Sequence, residues 1–111
     1  MQNRKERRRF PRSRSSFPMR YRLIPVGTEG YLHASVEDLS PDGVRFRCAG
    51  TMRPRTGLLL ELQLPGAQAV RTFGRATWVR ELPGRDGFEV GGRFVDQSTS
   101  TRRAIEQHIG G

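Results

Sequence analysis

Residues 38–48 read DLSPDGVRFRC, and the parity of the second half decides the fold. Val44, Phe46 and Cys48 fall on one side of an extended chain, Arg45 and Arg47 on the other, so one face seeks a core and the other seeks water. The strand is entered through SPDG (40–43), where Pro41 suits the first corner of a turn and Gly43 its last position. Upstream, GYLHASVEDLS (30–40) gives a second strand running into that turn. Downstream, LLLELQL (58–64) places Leu58, Leu60, Leu62 and Leu64 on one face. VRTFGRATWVREL (70–82) and GFEVGGRFV (87–95) add two more alternating strands around the turn-like PGRDG (83–87).

The same alternation starts near Arg20, with Tyr21, Leu23 and Val26 forming a first strand that Pro25 interrupts and so pushes to an edge. Gly74, Gly91 and Gly92 suit bulges or corners where a small sheet curls. After Asp96 the period changes: Ser98 can cap a helix that carries Thr101, Ile105 and Ile109 at helical spacing. The expectation is an all-β fold, a six-stranded antiparallel barrel with a C-terminal α-helix. Cys48 belongs to the packed face.

Charge divides the chain differently. Residues 1–22 hold nine basic side chains and one acid, while residues 23–111 are almost balanced, 11 basic to 10 acidic. Residues 1–19 lack periodicity and contain Pro11 and Pro18, so they read as a flexible basic N-terminal arm ahead of a barrel domain at 20–111. Such an arm expects an anionic partner: a phosphate ligand, a nucleic acid or an acidic membrane face. No apolar run exceeds three residues, so no membrane span or signal peptide is expected. A single cysteine excludes an intrachain disulfide, and the expected location is cytoplasmic.

Two spaced patterns carry chemistry. Arg8 and Arg12 form RxxxR within ERRRFPR (6–12), and Asp38, Ser40 and Gly43 form DxSxxG. Together, in this order and on this strand pattern, they resemble the signatures of the PilZ family of cyclic di-GMP receptors. GRATWV (74–79) and VGGRF (90–94) look like that family's later strands. The resemblance covers nearly the whole chain and implies a ligand-binding protein that signals in bacterial motility, exopolysaccharide production or surface behaviour.

The residue types fit that ligand. Arginine's planar fork binds phosphate bidentately, reaches the O6 and N7 atoms of guanine, and stacks on purine faces. Arg8 and Arg12, four apart on an extended arm, face the same side and can reach one ligand together. Asp38 can accept from the guanine N1–H and exocyclic amine, Ser40 can bond a phosphate or base, and Gly43 supplies a tight turn and close backbone approach. Arg7, Arg9 and Trp78 are secondary candidates: surplus charge beside RxxxR favours an intercalated ligand dimer, and an aromatic at this place in the family can lie beside a guanine. SPDG alone reads first as a hairpin turn, with Asp38 bonding its own backbone; joined to RxxxR it reads as a binding motif.

No catalytic residues are expected, since no nucleophile stands beside a base and no phosphate loop of the glycine–lysine type is present. His33 and His108 are too scattered for a metal site, and no cofactor is expected. The competing reading is a small basic barrel that binds nucleic acid. It is disfavoured because Phe46, Phe88 and Phe94 alternate inward, leaving Phe10, Phe17 and Tyr21, in or next to the arm, for outside contact. With no appended output domain, the ligand-bound form is expected to act on a separate downstream protein.

Overall fold

The alternating segments close on themselves in the computed structural model, which describes residues 16–25, 30–84 and 87–110. Six strands are followed by one helix: β1 (Phe17–Ile24), β2 (Leu32–Ser40), β3 (Gly43–Cys48), β4 (Gly57–Leu62), β5 (Val70–Glu81), β6 (Phe88–Val95) and α1 (Thr99–Gly110). They form a closed antiparallel barrel in the order β1-β2-β3-β6-β5-β4, with β4 paired back onto β1.

The inward parity fills the barrel. Met19, Tyr21, Val36, Phe46, Leu58, Leu60, Leu62 and Val90 are fully buried, and Cys48 packs with them. Each such side chain removed from water contributes about 1.5–3 kcal/mol, before the cost of ordering it. Burial pushes the Cys48 thiol up from its ordinary pKa, against a smaller opposing effect of its bond with Tyr21.

Two details of the first strand differ from the sequence reading. β1 begins at Phe17, three residues before Arg20, and Phe17 and Tyr21 point into the core rather than outward. Pro18 disguises this start, yet it occupies the exposed parity at the second strand residue, where proline is tolerated. Nor is β1 an edge strand, because it pairs with β2 on one side and β4 on the other. Pro25 lies just beyond the strand's last residue, Ile24.

Two β-bulges break the parity. In β2, Val36 pairs with Phe46 but Asp38 pairs with Arg45, so Glu37 is an extra residue. In β5, Ala76 pairs with Gly92 and Trp78 with Gly91, so Thr77 is extra. Strict alternation from Val36 and Ala76 would drive Asp38 and Trp78 inward. The bulges instead let Val36 and Leu39 both enter the core while Asp38 and Ser40 face out, and they turn Trp78 outward.

α1 packs across the barrel beside β2 and β5. Ser98 caps it, its Oγ accepting from the Thr101 N–H at 3.1 Å. Thr101 and Ile105 are its buried residues, and Thr101 Oγ1 donates to the Arg71 carbonyl at 3.3 Å. His108 meets the Phe17 ring edge-on, centroids 5.4 Å apart.

Candidate functional site

The two bulges border one cleft. Asp38, Ser40, Asp42, Gly43, Arg45, Thr77, Trp78, Gly91 and Arg93 line a space of about 540 Å³ on the outer face of β2, β3, β6 and β5. That volume is in the range of small-molecule sites, about 300–1,000 Å³.

Its parts are positioned by local chemistry. The SPDG turn joins β2 to β3 with Ser40 paired to Gly43, and Ser40 Oγ donates to the Gly43 carbonyl at 3.4 Å. Gly43 is required by a close approach of backbones, since a Cβ there would overlap the Gly92 carbonyl oxygen. Its glycine is therefore set by β3–β6 contact, a reason additional to the tight turn read from the sequence. Asp38 is only 6% exposed, yet its carboxylate borders the cleft with Oδ2 3.9 Å from Arg45 Nη2.

Trp78 is the opposite case, 40% exposed for so large a ring. Its indole occupies the space above Gly91, where any Cβ would collide with it. The missing side chain lets the indole lie close on β6, leaving an aromatic surface beside the cleft. Thr77 Oγ1 donates to the Gly91 carbonyl at 3.0 Å, tying the β5 bulge to the same spot.

A charged lattice frames this. Glu89, buried on β6, accepts from Arg45 Nη1 at 2.6 Å and from Arg80 Nη2 at 2.5 Å. Glu37, the β2 bulge residue, accepts from Arg47 Nη2 at 3.1 Å. Burial pushes the Glu89 carboxyl up, but its bonds to Arg45 and Arg80 outweigh that and hold it below the usual carboxylate range.

Of the sequence-predicted site residues, Asp38, Ser40, Gly43 and Trp78 thus meet around one cleft. Arg7, Arg8, Arg9 and Arg12 lie outside the described residues. Sequence reasoning missed Arg45, Glu89, Gly91 and Arg93. Glu89 carries a faint signal, an acid on the outward parity between arginine-bearing strands. Gly91 was legible as a glycine in a strand, but its reason, the indole above it, is tertiary. Among the described residues no three His, Cys, Asp or Glu side chains gather as a metal site, and no helix is long and apolar enough to cross a membrane.

The family model described as "PilZ domain" matches residues 6–111. No curated protein matches the chain in sequence. Among solved structures, the barrel is similar to the Bacillus subtilis inhibitor of motility (MotI/DgrA), at TM-score 0.77 and 13% identity over 92% of this chain and 49% of that one. It is also similar to the PilZ domain of YcgR from Escherichia coli with c-di-GMP, at TM-score 0.72 and 14% identity, covering 94% and 89%. The larger Escherichia coli YcgR in complex with c-di-GMP gives TM-score 0.74 and 16% identity, covering 94% and 45%. The chain spans about half the length of the first and last of these.

Proposed function

The chain belongs to the PilZ domain family, and from that premise we propose that it is a receptor for cyclic di-GMP. The observation that carries the reading is the convergence of Asp38, Ser40 and Gly43 with the exposed Trp78 around one cleft. Asp38 accepts from a guanine's N1–H and amine, Ser40 bonds a phosphate or base edge, and Trp78 offers a surface on which a base stacks, contacts of about 1–3 kcal/mol each. Arg8 and Arg12 from the preceding segment take phosphate and guanine, with Arg7 and Arg9 supplying further charge for an intercalated pair of ligand molecules. Ligand draws the N-terminal segment across the rim near Asp38 and Ser40, and the composite surface is read by a downstream protein.

Calorimetry on the full chain tests this. Cyclic di-GMP is expected to bind and to displace GMP or GTP at equal concentration, and Arg12→Ala is expected to weaken it about tenfold to a hundredfold. Equal affinity for GMP and cyclic di-GMP would overturn the reading. Tight, sequence-tolerant and steeply salt-dependent binding of single-stranded oligonucleotides would favour a nucleic-acid module instead.

A further inference from the structure

Outward-facing arginines on the described strands are nearly all matched. Arg20 and Arg71 share Glu61, Arg45 and Arg80 share Glu89, Arg47 reaches Glu37, and Arg22 lies over the Tyr31 ring. Among these described strand arginines, Arg75 and Arg93 alone have neither a carboxylate nor a ring partner. Both are exposed, and they stand directly opposite each other in the β5–β6 register. Like charges in that position destabilise a sheet.

Their neighbours make the pair more open still. Arg93 is flanked across β3 by Gly43, and Arg75 across β4 by Gly57, so the directly paired residue on each outer side carries no side chain. Arg93 also lines the cleft with Trp78, which pairs with Gly91 two residues away on β6, a step of about 7 Å. A nucleotide separates its base from its phosphate by a single sugar, a comparable step.

We propose that Arg75 and Arg93 form an oxyanion subsite that takes a phosphate group of the nucleotide whose base stacks on Trp78. The inference rests on the receptor reading and assigns it two further binding residues. Two planar guanidinium forks converge well on a phosphodiester, whose charge is spread over paired oxygens. Bound phosphate turns the cross-strand repulsion into a bridged arrangement, so the pair is unfavourable in the empty barrel and favourable in the filled one.

That opposition of sign gives the test. The full chain and its variants are titrated with cyclic di-GMP by calorimetry and melted without ligand. Arg75→Gln and Arg93→Gln are each expected to weaken binding about tenfold while raising the ligand-free midpoint by about 1–6 °C. Arg75→Glu, which places opposite charges across the strands, is expected to raise the midpoint further and weaken binding more than Arg75→Gln. Arg71→Gln, which removes a partner of Glu61, is expected to leave affinity unchanged. Unchanged affinity in both Arg75→Gln and Arg93→Gln, with a wild-type chain that binds, overturns the subsite and leaves the receptor standing. Equal weakening by Arg71→Gln, or variants that lose stability together with affinity, also overturns it. A wild-type chain that binds no cyclic di-GMP removes both readings.

Discussion

Asp38 and Trp78 present opposite combinations of chemistry and exposure: a carboxylate almost withdrawn from solvent and an indole left half in it. Both border the same cleft. For Asp38, loss of an acceptor for guanine donors is expected to outweigh loss of charge. Asp38→Ala should therefore weaken cyclic di-GMP binding more than Asp38→Asn, by about 1 kcal/mol, measured calorimetrically with circular dichroism confirming the fold. Normal binding by a folded Asp38→Ala would reduce DxSxxG to a turn sequence. Trp78 is tested through a residue that need touch no ligand. Gly91→Ala puts a methyl group where the indole lies and must displace it. It is expected to weaken binding as much as Trp78→Ala does, and to abolish most of the ligand-dependent change in tryptophan fluorescence, since Trp78 is the only tryptophan.

At the scale of strands, two carboxylates hold arginines from neighbouring segments. Glu61 on β4 bonds Arg20 of β1 and Arg71 of β5, while Glu89 on β6 bonds Arg45 of β3 and Arg80 of β5. Arginine bonds lower the Glu61 carboxyl, and they lower Glu89 against the pull of its burial. A carboxyl lowered in the folded state stabilises it above the unfolded value and loses that contribution as pH falls through the folded one. Thermal midpoints should therefore drop as pH falls below the ordinary value of 4.5, and Glu89→Gln should be less stable at pH 7 by about 1–3 kcal/mol, with a flatter acid limb. An unchanged acid limb in Glu89→Gln would assign the drop to other groups. Six strands were legible because period two is a property of neighbouring residues, as GVRFRC and GLLLEL illustrate, and the helix because Ser98 precedes Thr101, Ile105 and Ile109 at helical spacing. The bulges were less so: their trace is an apolar spacing of three, Val36 to Leu39 and Ala76 to Val79, which looks like a lapse in a strand. Which carboxylate would meet which arginine depended on register between strands, and that is set by closure of the barrel.

Across the whole molecule, ligand is expected to change little of the core and much of its rim. At a free concentration of 100 times Kd it should add about 2.7 kcal/mol to unfolding stability. Hydrogen exchange should show new protection around residues 7–14 and 38–43, with strands near Leu60 and Val90 unaffected. Protection of 7–14 already present without ligand would rule out ordering of the N-terminal segment as the signal. Closure of the barrel limits where another chain could pair with its backbone. Every described strand has hydrogen-bonded neighbours on both sides over part of its length, but residues 38–40 of β2 pair only with β3, and residues 78–81 of β5 pair only with β6. Among the described strands, recognition by backbone pairing has its longest openings in these two short stretches, which carry Asp38, Ser40 and Trp78 of the cleft. Along most of the remaining strand length a visiting chain would meet side chains rather than open backbone, so backbone pairing at these stretches and ligand binding would compete for the same rim.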